Sequence, residues 1–174
     1  MALLVLAYPE MSAADYGRIQ AFRQRHDGLY YHVVEPHVTL VFPTFDWETE
    51  LFLAETAKRL RGFRPFDFCL RCAVLNKDTF NDYYHTFLVP DEGYSQMVKL
   101  HDKLYADKLF SHRALHVDFV PHIGIGNSKD PHRCLEMIDS WNKDEFAIWG
   151  HIEALDLVRY EDGTVQTIQR LALG

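Results

Sequence analysis

Apolar positions along the chain fall into short runs of strand length, separated by stretches in which they recur every three or four residues. These two periods predict strands alternating with helices. Leu3 to Tyr8 reads as a strand. Ser12, with Asp15 three positions on, marks the start of a helix running to about His26. Val33 to Phe42 predicts a strand ended by Pro43. Asp46 is placed to cap a helix that buries Leu53, Ala57 and Leu60 and closes at Gly62. Phe66 to Leu75 and Tyr83 to Val89 follow as strands, joined by the polar stretch Asn76 to Asp82.

The second half repeats the plan. Pro90-Asp91 predicts a helix start, with Met97, Leu100, Leu104 and Tyr105 buried. Val117 to Ile125 reads as a strand. Asp130-Pro131 sets a cap before a first-turn proline, and Cys134, Ile138 and Trp141 then recur at helical spacing. Ile152 to Tyr160 and Thr164 to Leu171 predict a closing hairpin across Asp162-Gly163. Each half thus holds a helix, a strand, a helix and a hairpin. The pattern predicts an α+β fold of mostly antiparallel sheet in two similar lobes, with residues 1–174 forming a single two-lobed domain.

The 174 residues, 48% of them hydrophobic and 25% charged, need neither disulfide nor metal to bury an adequate core. No apolar run approaches the roughly 20 residues that span a bilayer, and the run Ala2 to Ala7 lacks the basic flank of an export signal. The net charge of -7 argues against a long, sequence-independent grip on nucleic acid. It leaves room for a small nucleotide or an RNA end held locally. Three cysteines, Cys69, Cys72 and Cys134, suit a reducing compartment. The first two sit three apart in a strand-like run, so they point to opposite faces and read as packing residues.

The duplication is sharpest at two pentapeptides, Pro36-His37-Val38-Thr39-Leu40 and Pro121-His122-Ile123-Gly124-Ile125, about half the chain apart. Strand alternation sends Val38, Leu40 and Phe42 to one face and His37 and Thr39 to the other. In the second copy Ile123 and Ile125 turn inward while His122 and Gly124 turn away. Two related strands would then place both histidines on opposing walls of one cleft. A neutral imidazole can take a proton from an attacking oxygen, and a protonated one can give a proton to a leaving oxygen. A hydroxyl two positions on, such as Thr39, can donate to a phosphate oxygen.

These motifs resemble the two copies of His-x-Thr/Ser-x that define the two-histidine phosphoesterase superfamily, which includes 2′-5′ RNA ligase-like proteins and 2′,3′-cyclic nucleotide phosphodiesterases. The resemblance covers essentially the whole chain in element order. It implies a bilobal duplicated fold, with sheets flanking a central V-shaped cleft and helices on the outer faces. It implies chemistry that needs no metal and no cofactor. It assigns the base to His122 and the acid to His37. His37 and Thr39 match the first motif fully; in the second, Gly124 stands where the family has a hydroxyl. That glycine either makes room for a bulkier substrate, with Asn127 or Ser128 supplying the hydrogen bond, or leaves the site short of a contact.

Further candidates for substrate binding are Tyr8, Phe42 and Arg159, the rings for stacking on a base and the guanidinium for clamping a phosphate. Phe45, Tyr83, Tyr84 and Tyr160 are weaker stacking candidates. His85 alternates with Tyr83 and Phe87 and reads as a structural histidine near the cleft. His112 and His116 have a helical ligand spacing but lack the glutamate of a zinc protease. The expected function is the opening of 2′,3′-cyclic phosphates of nucleotides or RNA ends, or the making and breaking of 2′-5′ linkages. The alternatives are a nucleotide- or RNA-end-binding module with little catalysis, and an interaction domain with no ligand. The expected partners are a nucleotide cyclic phosphate or an RNA end, with no membrane, in a cytoplasmic monomer.

Overall fold

The computed structural model describes all residues, Met1–Gly174. Ala2–Ala7 forms strand β1, and Ser12 caps helix α1 (Ala13–His26) by accepting the Asp15 amide at 3.1 Å. A two-residue strand β2 (Glu10–Met11) lies between them. Strand β3 spans Val38–Thr44, so it starts later than expected and continues through Pro43. That proline is tolerated because β3 is an edge strand, where a missing amide leaves no ladder bond unmade. Helix α2 (Thr49–Leu60) begins after Glu48, with no side-chain cap, so Asp46 does not cap it. It buries Phe52, Glu55, Thr56 and Leu60, a face shifted by one residue from the expected one.

Strands β4 (Phe66–Lys77) and β5 (Tyr84–Glu92) form the expected hairpin. Pro90 ends up inside β5. Helix α3 (Tyr94–Leu104) starts only after Gly93, whose φ of 79° turns the chain out of the sheet. Met97, Leu100, Leu104 and Tyr105 are all buried. A short 3₁₀ helix covers Asp107–His112. Strand β6 (Ile123–Ser128) begins just after His122, later than the expected Val117. Helix α4 (Pro131–Asn142) is capped by Asp130, which accepts the His132 amide at 2.9 Å. Strand β7 (Ile148–Ile152) is an element that the hydrophobic pattern does not separate. Strands β8 (Ala154–Glu161) and β9 (Thr164–Ala172) close the chain through Asp162 (φ 50°) and Gly163 (φ 74°), the two left-handed residues of a type I′ turn.

Two wholly antiparallel sheets result, in the orders β3-β1-β8-β9 and β2-β7-β4-β5-β6. The lobes are therefore not the two halves of the sequence: the first sheet joins the first and last strands of the chain. Helix α3 packs on β3 of the first sheet and α2 packs on α3, while α1 and α4 cover the second sheet. Helix α1 thus leaves β1 and crosses to the other lobe. One continuous core cluster unites both layers, with Leu3 and Leu157 from the first sheet and Leu70 and Ile123 from the second. No helix is long and apolar enough to cross a membrane.

The strands β3 and β6, which carry the repeated motifs, are each an edge of their sheet. Cys69 is buried and Cys72 exposed in β4, both as free thiols. His112 lies at the end of the 3₁₀ helix and pairs with the Trp47 indole at 2.7 Å, while His116 stands against Phe80.

Candidate active site

His37 and His122 are held in the same way. The ring Nδ1–H of His37 donates to the carbonyl of Glu35 at 2.7 Å, and that of His122 donates to the carbonyl of Val120 at 2.6 Å. In both, the acceptor is the residue two positions back, reached across a proline. A carbonyl only accepts, so the bond fixes the proton on Nδ1 and leaves Nε2 as the basic atom of each neutral ring. Each ring keeps some exposure, yet the surrounding protein desolvates it. Desolvation pulls the pKa of His37 down to about 4, against the hydrogen bond to Glu35, which favours the charged form. His122 is likewise pulled down to about 4 by desolvation, against the hydrogen bond to Val120, with His37 and His85 nearby adding to the fall. The two imidazoles are thus near enough to feel each other.

The first wall is a face of the first sheet. Leu6 pairs with Thr39 and with Asp156, so these three share one face, and the next even position, Tyr8, meets the His37 ring edge-on at 6.2 Å. Burial pushes the Tyr8 hydroxyl up to about 12, with Asp156 and Glu35 adding to it. Asp156 is itself 5% exposed and raised by burial. The second wall is an aromatic column. Phe87 stacks on His122 at 3.5 Å, His85 stacks on Phe87 at 5.6 Å, and Tyr30 stacks on His85 at 6.3 Å. His85 is pinned by Asp78 at 2.9 Å, so the structural role expected for it and a place in the wall hold together. Phe42 sits edge-on to Phe119 and His101 and braces the segment three residues before His122.

Arg159 does not join this wall. It pairs with Leu3 and alternates with Leu155 and Leu157, on the face opposite Asp156 and Thr39, and its buried Nε has no hydrogen-bond partner. Strand parity, which the sequence hides until the register is known, excludes it. Phe45 and Tyr160 are exposed, and Tyr84 is under Lys77.

Gly124 pairs with Phe87 in β6, and a Cβ there would meet only that ring, at 4.0 Å. Of the suggested substitutes for the absent hydroxyl, Asn127 donates to Asp27, while Ser128 accepts the Asp130 amide at 3.0 Å and keeps its own O–H to donate. Asp27 is half of a buried pair with Arg23, 3.0 Å away, and the Arg23 guanidinium donates to the carbonyls of Tyr30 and Val34. One buried ion pair therefore ties the segment leading to His37 to the strand following His122. Nothing in the sequence singles it out except an arginine and aspartate four apart at the end of a helix.

A family model described as the 2′-5′ RNA ligase superfamily matches residues 9–164. The chain belongs to the 2′-5′ RNA ligase superfamily. A superfamily member of this kind is a two-histidine phosphoesterase or ligase-like enzyme. Crystal structures show the same fold: TT0787 of Thermus thermophilus, at 15% identity and TM-score 0.65, is matched over 99% of this chain and 98% of that one. E. coli LigT in apo form, at 16% identity and TM-score 0.59, is matched over 99% and 96%. LigT has also been solved in complex with 3′-AMP, at 14% identity and TM-score 0.57, over 99% and 97%. A search of curated proteins returns no match.

Proposed function

We propose that this superfamily member is a metal-independent phosphoesterase that opens 2′,3′-cyclic phosphates of nucleotides or RNA ends with His37 and His122. The paired presentation of the two Nε2 atoms, each set by a bond from Nδ1 to the carbonyl two residues back, carries the reading. Neutral His122 takes a proton from water as the water oxygen attacks phosphorus. Protonated His37 gives a proton to the ribose oxygen as its bond to phosphorus breaks. The product is a monoester, and the protons exchanged with solvent restore both rings. A ribose hydroxyl attacking in place of water would form a 2′-5′ linkage with the same two groups. In this reading Thr39 donates to a phosphate oxygen and the rings of Tyr8 and Tyr30 take the base; the register of Thr39 and the ring contacts of Tyr8 with His37 and of Tyr30 with His85 support it. The LigT complex with 3′-AMP supports a nucleotide as the occupant.

A turnover screen of 2′,3′-cyclic mononucleotides and 2′-5′ linked dinucleotides, with EDTA present, tests this. Ring opening that survives EDTA is expected; chelator-sensitive turnover, or none at all, would remove the proposal. The engagement of Asn127 with Asp27 favours one second reading, a site that binds such ends but turns them over slowly for want of a hydroxyl at 124.

Gly124→Thr separates the two. The space above Gly124 is open and its backbone is not left-handed, so threonine fits a strand it favours. A regained hydrogen bond to a charged phosphate contributes roughly 1.5–3 kcal/mol. The variant is therefore expected to raise kcat/KM on small cyclic nucleotides by about tenfold or more. A loss confined to larger substrates would show instead that the glycine makes room. Unchanged kinetics on every substrate would show that position 124 does not face the phosphate.

The pH profile follows from the depressed pKa values. kcat/KM reports the free protein. With both rings pulled to about 4, the form carrying one proton is scarce at neutral pH and grows as pH falls. kcat/KM is expected to rise about tenfold per unit from pH 7 towards about pH 5, while a phosphate anion between the rings moves the kcat optimum to higher pH. A kcat/KM profile with both limbs above histidine's ordinary 6.5 would show that the cleft does not desolvate its imidazoles.

A further inference from the structure

A depression of about 840 Å³ lies apart from His37 and His122. It lies where the ends of α1 and β6 meet α4, and it continues into a second depression of about 230 Å³ that shares Arg25 and Ser140. Together they form a groove between α1 and α4. Arg18 and Arg25 line it from α1, Arg133 from α4 and Lys129 from the turn between β6 and α4.

These four exposed cations stand on a protein of net charge -7, and none has a carboxylate within ion-pair distance. Elsewhere on the surface Arg59, Arg71, Arg113 and Arg170 are paired, while Arg61 and Arg64 stand unpaired without forming such a cluster. In the groove three of the cations, Arg18, Arg25 and Lys129, lie over rings instead. Arg18 lies 4.2 Å from the centre of Trp141, and Lys129 5.4 Å from that of Tyr83. Cation–π contact orients a charge without neutralising it, and Glu136 is the one carboxylate in the lining, so the groove keeps a net positive field.

The groove also borders segments that build the cleft wall. Gly28 and Leu29 line it, and the next residue, Tyr30, stacks on His85 in the cleft wall. Asn127 lines it from β6, the strand that follows His122, roughly 17 Å further along the chain at strand rise.

We propose that the groove between α1 and α4 is a second, non-catalytic binding site for RNA, which takes the backbone phosphates of a strand whose end lies between His37 and His122. This rests on the reading of the cleft as a phosphoesterase site. Spaced, unpaired guanidinium groups match phosphodiester oxygens bidentately. The groove is short, so it fits the local hold on an RNA end that the overall negative charge allows, not an extended grip.

The test compares wild type, Arg25→Gln/Arg133→Gln in the groove, and Arg61→Gln/Lys108→Gln as a charge control on the other lobe. The probes are a 2′,3′-cyclic mononucleotide and a decanucleotide RNA ending in a 2′,3′-cyclic phosphate. The groove variant is expected to leave the mononucleotide's kcat/KM unchanged and to weaken the decanucleotide roughly tenfold. It should also reduce the slope of log Kd against log salt by about 1.4, since each phosphate contact on a single strand contributes about 0.7. The control variant should do neither.

Repeating the binding measurement in a His37→Ala background reads the groove without turnover, so failure of the chemistry and failure of the groove are separate results. An unchanged decanucleotide Kd and salt slope in the groove variant would overturn the proposal. So would an equal loss in the control, or equally tight binding of an oligoglutamate peptide of matched charge.

Discussion

His122→Ala is expected to lower kcat/KM for the best cyclic phosphate substrate by roughly 10²–10⁴-fold, and His37→Ala by a similar factor, because positioned acid–base groups contribute on that scale. The two variants should not add. A site that needs a base and an acid in one step loses most of its rate with either, so the double variant should fall little below the worse single one. Stability should change little in comparison, since each ring sits at the margin of the core with a single hydrogen bond to a neighbouring carbonyl. His122→Gln keeps bulk against Phe87 and should be as inactive as the alanine variant, which would assign the loss to proton transfer and not to the lost stack. Full activity in either single variant would end the two-histidine mechanism.

Asp27→Ala is expected to destabilise the fold by about 3–5 kcal/mol, because it leaves Arg23 buried without its counter-charge. Arg23 is 1% exposed and Asp27 4%. For a chain of this size that corresponds to a loss in Tm of roughly 10 °C. The same change also frees Asn127 and the Tyr30 amide, which Asp27 holds on its other oxygen. The segment that carries Tyr30, Glu35 and His37 would then lose its tie to β6. The residual folded protein should therefore show a raised KM as well as a lowered Tm. A Tm within about 2 °C of wild type, on the order expected of an exposed pair, would show that solvent reaches Arg23 and that the network does not join the two motif strands.

Much of the fold is readable in local pattern. Ser12 and Asp130 cap the helices that follow them, as their positions predict, and the Asp162-Gly163 turn closes the last hairpin. Cys134, Ile138 and Trp141 are buried along α4. These are interactions between residues within a few positions of each other, so a sequence window contains them whole. Boundaries move where tertiary contacts intervene. Helix α3 waits for the left-handed Gly93, and β6 begins only once it can pair with β5. Strand β7 escapes the pattern because Glu153 separates it from β8 by one residue. Only pairing with β2 and β4 on one side of that break, and with β1 and β9 on the other, shows two strands.

Local pattern settles the alternation of helix and strand and the repeated motif at the entrance to β3 and β6, because period and capping are local properties. Tertiary structure decided how those pieces meet. Strand pairing spans the chain, so β1 joins β8 near the end of the chain as well as β3, and helix α1 crosses to the second sheet. The same long-range register turns Arg159 away from the cleft and sets Asn127 against Asp27. It also gathers Arg18, Arg25, Lys129 and Arg133 into one groove. A local window cannot hold these choices, because each depends on which of many compatible edges and faces buries the most apolar surface once the whole chain is folded.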